Sequence, residues 1–293
     1  MEVLKAHGSR NDIFITALTP ADFASDADVR AFVRALCDRA NELQGGDGIY
    51  FHDADTLQAW FFNPDGSTAE FCGNGMRCLG RYVLDRRQAG TATIRSGSTE
   101  YTVSRGQPEG GVTMIRLEHP RVTFQHVARP GEPSPTELTV PNPHRVTIVD
   151  HYDEAELRKE GENYADTNVS YLLPVAEDEI FVRTHERGAG LTASCGSGMV
   201  AARAAYSRLG LAPQDLPVTI HNAGGQATAH LRDWRPVLDG NATYLYRVDL
   251  DPAGPPAAPA EHFAGESAAY DAFERQNEVW LFAQGIEIGS LTA

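Results

Sequence analysis

Lysine is almost missing from this chain. Lysine and arginine together number 25, and only Lys5 and Lys159 are lysine. A pyridoxal phosphate enzyme needs a pocket lysine for its Schiff base. Lys5 stands at the chain start and Lys159 in the charged run 156–162, so neither suits that role, and no cofactor is expected. Cysteine is also scarce, with four, at positions 37, 72, 78 and 195. That is too few for a disulfide scaffold of this size, and no CxxC pair points to structural zinc, so no metal is expected. No apolar run approaches the roughly 18 residues of a membrane helix, and Met1-Glu2-Val3-Leu4-Lys5 has no signal-peptide core. Positive charge is outnumbered, 25 basic against 40 acidic side chains, for a net charge of −15. Such a surface repels phosphate backbones, and no basic patch offsets it. The expectation is a soluble, cytoplasmic protein that binds neither nucleic acid nor membrane. A composition of 42% hydrophobic and 22% charged residues excludes wholesale disorder.

What the sequence does have is an internal repeat. Cys72-Gly73-Asn74-Gly75-Met76 returns as Cys195-Gly196-Ser197-Gly198-Met199. A polar, glycine-bearing loop precedes each copy, at 63–67 and at 186–190. A stretch with apolar residues at three- and four-residue steps follows each, 76–87 and 199–209, and predicts a helix. Strands are predicted over 12–18, 48–52 and 58–62 in the first half and over 146–149, 170–175 and 179–184 in the second. Residues 28–43 predict an amphipathic helix with Val29, Phe32, Val33, Leu36 and Cys37 on one face. The last run, 278–288, reads as strands. Two α/β domains follow: residues 1–120, with 277–293 returning to complete them, and residues 121–276. The stretch 251–260 is too rich in proline and alanine for a core element and predicts a surface loop.

A thiol at a helix N-terminus meets unpaired amides and the positive end of the dipole, and both favour thiolate. The same amides can hold a carboxylate. Two matched thiols suit proton transfer at the two faces of one carbon: one removes a proton as thiolate, the other returns one as thiol. Amides at the helix ends stabilise the charge that develops on the substrate carboxylate as its α-carbon loses the proton. Cys72 and Cys195 are therefore the candidate acid/base pair of a racemase or epimerase that needs no cofactor.

The motifs also resemble the diaminopimelate epimerase family. The resemblance runs through His7-Gly8 with Asn11-Asp12, Gly46-Asp47-Gly48, Asn63 with Asp65-Gly66-Ser67, and Cys72-Gly73-Asn74-Gly75 with Arg77-Cys78. It continues through Asn142-Pro143-His144, Asn168-Val169, Glu186-Arg187-Gly188 with Gly190, and Cys195-Gly196-Ser197-Gly198. It implies an α/β (α+β) fold of two pseudo-symmetric domains, each a barrel-like sheet around a central helix, with the active site in the cleft between them. It implies that Cys72 and Cys195 are catalytic, and that the amides of Gly73, Asn74, Gly196 and Ser197 hold the carboxylate at the reacting carbon. Asn63, Asn142, Asn168 and Arg187 would grip the distal carboxylate, Glu186 the distal ammonium, and Asn11 would line the same pocket. Arginine and amide donors suit a carboxylate, and a carboxylate suits an ammonium. A homodimer acting on an amino-acid substrate is implied as well. The chain departs from the family at Leu191, where glutamate is usual, at Met76 and Met199, where alanine is usual, and at Ser9-Arg10 and Pro64.

Plainer readings stand beside these. Cys78 and Cys37 read as buried structural thiols. His144 is open between supporting a cysteine and packing a loop, His7 and His185 read as structural, and Arg77 is open between pairing with an acidic residue and packing. Asp65 and Gly66 read as turn formers. The leading function is epimerisation of LL- to meso-diaminopimelate. A racemase of the same fold acting on another amino acid, such as histidine, competes with it because of Leu191 and the methionines. More distant are a cysteine hydrolase with Cys195 as nucleophile and an amino-acid-binding protein without turnover.

Overall fold

The computed structural model describes residues 1–129, 134–250 and 259–289. The chain divides into two compact units: Met1–Leu117 with Asn241–Ala272, and Glu118–Gly240 with the residues from Phe273 onward.

In the first unit, β1 (Glu2–Gly8) and β2 (Asn11–Thr16) form an antiparallel hairpin. Helix α1 (Asp26–Cys37) leads to β3 (Ile49–His52), parallel to β2, and β4 (Gln58–Phe62) returns antiparallel. The short β5 (Thr68–Ala69) lies on β4, and helix α2 (Gly73–Arg87) follows. Next come β6 (Thr91–Ser96), parallel to β4, its antiparallel neighbour β7 (Thr99–Arg105), and β8 (Met114–Glu118).

The second unit repeats that order. After β9 (Thr123–His126), strands β10 (Thr136–Val140) and β11 (Asn142–Ile148) form the antiparallel pair. Helix α3 (Glu154–Gly161) leads to β12 (Asn168–Ala176), parallel to β11, and β13 (Glu179–Glu186) returns antiparallel. The short β14 (Gly190–Leu191) lies on β13, helix α4 (Gly196–Arg208) follows, and β15 (Val218–Asn222) runs parallel to β13. β16 (Gly225–Arg232) and β17 (Arg235–Asn241) continue antiparallel. The chain then returns to the first unit, where β18 (Thr243–Asp249) pairs antiparallel with β1 and β19 (Glu261–His262) lies on β18. Helix α5 (Ala264–Ala283) ends the described elements.

Each unit is thus a curved sheet around one central helix, α2 or α4. Both helices are buried on every side over most of their length, 73–84 of α2 and 196–206 of α4, as a helix enclosed by a sheet must be. Met76, Cys78, Leu79 and Leu84 of α2 and Met199, Val200, Ala201 and Ala205 of α4 are buried among strand residues such as Ile13, Ile94 and Val103, or Leu172, Val182 and Ile220. Burying one such large aliphatic side chain contributes about 1.5–3 kcal/mol. Cys37 and Cys78 are buried, as expected, and burial pushes each thiol up to about 12.

Three expectations change. The helix expected over 28–43 ends at Cys37, because the chain turns back and the Asn41 side-chain amide donates to the last carbonyls, Ala35 O at 2.8 Å and Leu36 O at 3.0 Å. The strands expected over 278–288 are instead helix to Ala283, and its buried residues Tyr270, Phe273, Asn277 and Leu281 follow helical spacing. The first unit is completed by 241–272 rather than by 277–293, because β18 supplies the partner of β1 while Leu281 and Ile286 pack on Phe181 of the second unit. The expected loop at 251–260 lies outside the described residues from 251 to 258. Among the described residues, no helix is long and apolar enough to cross a membrane.

Candidate active site

Both repeated motifs fold the same way. Cys72 is the N-cap of α2 in extended conformation, and its Sγ accepts from the Gly75 amide at 3.4 Å. Cys195 is the N-cap of α4, and its Sγ accepts from the Gly198 amide at 3.3 Å. A thiol replaces the usual serine or aspartate cap in both units. The second glycine of each motif is required by a strand. A Cβ on Gly75 would lie 2.8 Å from the Tyr50 ring of β3, and one on Gly198 would lie 2.3 Å from Thr184 Oγ1 of β13. The amides of Gly73 and Asn74, and of Gly196 and Ser197, open their helices, where no preceding turn supplies a carbonyl.

The surroundings of the two thiols differ. Cys72 donates its thiol proton to Asn11 Oδ1 at 3.5 Å, and Asn11 begins β2. Its main chain is held by Tyr50: the Cys72 amide donates to the Tyr50 hydroxyl at 3.0 Å, and that hydroxyl donates to the Cys72 carbonyl at 3.3 Å. Cys195 is buried and has Ser197 Oγ at 3.5 Å. Burial first, and then the Glu186 carboxylate, push its thiol well above the ordinary range, against the lowering effects of Ser197 and the Gly198 amide. The helix terminus alone leads one to expect a thiolate there. Desolvation outweighs it, and Cys195 keeps its proton.

The second unit gathers a polar group around Arg187. Its Nη2 donates to Asn142 Oδ1 at 3.2 Å, and its amide donates to Asn168 Oδ1 at 3.0 Å. Asn142 opens β11 and Asn168 opens β12, so two parallel strands present their first residues to the turn after β13. Neighbouring Glu186 accepts from the Thr192 hydroxyl. In the first unit, Asn63 is less connected. Its amide donates to Ser67 O at 2.8 Å and its side chain to Ser67 Oγ at 2.9 Å, inside its own turn. Asp65 accepts from the Ser67 amide and Gly66 has φ of 81°, as turn formers would.

His144 lies in β11 rather than in a loop, paired with Leu138 and Asn168. Burial, then Arg187 and His119, lower its pKa to about 3, and neither ring nitrogen has a hydrogen-bond partner among the described residues. It is a neutral, packed side chain. Arg77 has no acidic partner among the described residues; it is buried, and its Nε donates to Asn241 O at 3.1 Å. Leu191 packs with Leu157, Val169 and Tyr171, so this departure from the family fills a small apolar cluster. Tyr50 and Thr184 escaped the sequence reading, since each is an ordinary strand former with no motif of its own. The usable signal was the second glycine of each motif, which announces a close neighbour.

The family model for diaminopimelate epimerase matches residues 3–115 and 138–245. A diaminopimelate epimerase of Methanopyrus kandleri is 34% identical over 262 residues, covering 85% of this chain and 89% of its own. One of Listeria innocua is 31% identical over 281 residues, covering 82% and 85%. Among solved structures, a phenazine biosynthesis protein of the PhzF family from Bacillus anthracis has the same fold, with a TM-score of 0.63 at 13% identity over 86% of this chain and 99% of its own. A hydroxyproline epimerase from Agrobacterium vitis has a TM-score of 0.60 at 12% identity, over 87% and 92%. The chain belongs to the diaminopimelate epimerase family and is an isomerase, an epimerase of amino acids.

Proposed function

We propose that this enzyme interconverts LL- and meso-diaminopimelate, with Cys72 and Cys195 as the two acid/base groups and no cofactor. The observation that carries the reading is the pair of equivalent caps, each a cysteine Sγ on the third amide beyond it, at the head of a buried central helix. One thiol takes the α-proton, the other returns a proton to the opposite face, and their roles exchange with the handedness of the substrate. Cys195, which burial keeps protonated, suits the donor role for one isomer. The amides of Gly73, Asn74, Gly196 and Ser197 stabilise the negative charge on the reacting carboxylate.

Substrate choice rests on the far end. Arg187 has five N–H donors and spends one on Asn142, which leaves donors for a distal carboxylate beside the amide groups of Asn142 and Asn168. Asn63 and Asn11 of the first unit are assigned to the same substrate, and Glu186 to its distal ammonium. A racemase for a monocarboxylic amino acid such as histidine has no use for this set.

Reduced enzyme in D₂O, followed by NMR, tests the reading with LL-diaminopimelate, histidine and other single amino acids. Deuterium should enter one α-carbon of diaminopimelate, with meso product. Exchange confined to another amino acid would keep the chemistry and discard the substrate. No exchange with any of them would discard both the substrate and the two-thiol mechanism.

A further inference from the structure

Strand β1 pairs with β2 down to Gly8 opposite Asn11, so Ser9 and Arg10 alone make the turn. Both are left-handed, with φ of 53° and 63°. Such a tight hairpin turn normally uses glycine, asparagine or aspartate there. A serine and an arginine hold that conformation only when their surroundings enforce it.

The enforcement is visible. The Ser9 amide donates to Asn241 Oδ1 at 2.7 Å, and Asn241 in turn donates to His7 O at 3.1 Å and Thr243 Oγ1 at 3.0 Å. Arg10 Nη2 pairs with Asp271 Oδ1 of α5 at 2.7 Å, and its guanidinium lies over the Tyr270 ring, 5.0 Å from the centroid. The Arg10 amide donates to His7 Nδ1 at 3.3 Å. The turn is also wedged against the head of α2, since a Cβ on Gly8 would lie 2.9 Å from Arg77 Nη2 and 3.0 Å from Asn74 O. The residue that leaves this turn is Asn11, whose Oδ1 receives the Cys72 thiol proton. The second unit lacks the device: only Pro141 separates Val140 from Asn142, and Asn142 bonds Arg187.

We propose that Arg10 is a positioning residue for Cys72. Through Asp271 and Tyr270 it locks the Ser9–Arg10 turn, and the locked turn fixes Asn11 on the Cys72 thiol. The proposal rests on the reading of Cys72 as an acid/base group. Other titratable neighbours of Cys72 are Tyr50 on β3 and Arg77 and Cys78 on α2, and none of them is altered by the variants below.

The test is the pH dependence of iodoacetamide labelling at Cys72, read by mass spectrometry with Cys195 of the same molecule as reference. It uses wild type, Arg10→Ala, Arg10→Lys and Asp271→Asn. An accepted thiol hydrogen bond stabilises the protonated form, so loosening Asn11 should move the Cys72 midpoint down by ~0.5 pH unit and leave Cys195 unmoved. Arg10→Ala and Asp271→Asn should show this together with a roughly tenfold lower kcat at little-changed KM. Arg10→Lys, which keeps a cation for Asp271, should restore most of both. An unmoved Cys72 midpoint with wild-type kcat would overturn the proposal, and so would equal movement of both cysteines. Labelling needs no substrate, so a wild type inert toward diaminopimelate would sink the substrate reading and leave this test intact.

Discussion

Tyr50 and Cys72 are bonded twice through one hydroxyl: it accepts from the Cys72 amide at 3.0 Å and donates to the Cys72 carbonyl at 3.3 Å. A side chain of β3 thereby fixes the backbone of the residue that caps α2. Tyr50→Phe keeps the ring and removes both bonds. It should cost about 1 kcal/mol of stability, because the part-buried Cys72 amide loses the hydroxyl while the Cys72 carbonyl keeps the Met76 amide at 2.8 Å, and it should lower turnover. Urea denaturation and a kcat measurement check this; wild-type values for both would show the hydroxyl to be dispensable.

The two glycines of the repeat should respond to alanine in the same way. Gly198→Ala places a Cβ 2.3 Å from Thr184 Oγ1 and should cost about 1–3 kcal/mol by overpacking. Adding Thr184→Ala removes the clashing oxygen, and thermal melting should recover part of the loss, although the 2.8 Å bond from Ser170 to Thr184 goes too. Equal melting temperatures for the single and double variants would contradict the close-approach argument.

Glu186 should be felt electrostatically at Cys195. Its negative charge disfavours the thiolate, so Glu186→Gln should move the labelling profile of Cys195 toward lower pH. Burial is the larger cause, and the midpoint should stay above that of an ordinary thiol. An unmoved or raised midpoint would remove Glu186 from the account of Cys195.

Buried histidines should make the fold acid-sensitive. Burial lowers His7 and His52 to about 4 and His144 to about 3, against roughly 6.5 in the unfolded chain. Between those values the unfolded chain binds more protons than the folded one, so stability is full above about pH 6.5 and is lost as pH falls toward 4. Each such histidine contributes on the order of 3 kcal/mol across that window. Denaturation midpoints at a series of pH values should show the decline, and His52→Phe should flatten it by about one proton. A slope identical to wild type would show that His52 does not take part.

The sequence was most legible where residue type and local geometry coincide. C-G-x-G before an apolar helix announced the two caps, and both helix heads, at Gly73 and Gly196, lie three residues before the predicted starts because the cap itself is cysteine. Asn142, Asn168 and Arg187 could be assembled only by resemblance, since Asn142 and Arg187 stand 45 residues apart and meet through strand pairing. The C-terminal run misled because Val279-Trp280-Leu281-Phe282 is a continuous β-rich apolar run, yet Val279 and Phe282 are 69% and 87% exposed on a helix whose buried side carries Asn277. Asn277 belongs inside because its amide donates to Asn222 O at 2.9 Å and its oxygen meets His221 Nδ1 at 2.7 Å, partners that no local pattern discloses.

The central claim is that two thiols serve opposite faces of one carbon. The direct measurement is the fate of solvent deuterium in the first few per cent of reaction from LL-diaminopimelate, with unreacted substrate and meso product separated and analysed by mass spectrometry. Two acid/base groups predict deuterium at the inverted carbon of the product and none in the recovered substrate, with turnover lost in Cys72→Ala and in Cys195→Ala. Equal labelling of substrate and product, or turnover that survives loss of either cysteine, would contradict it.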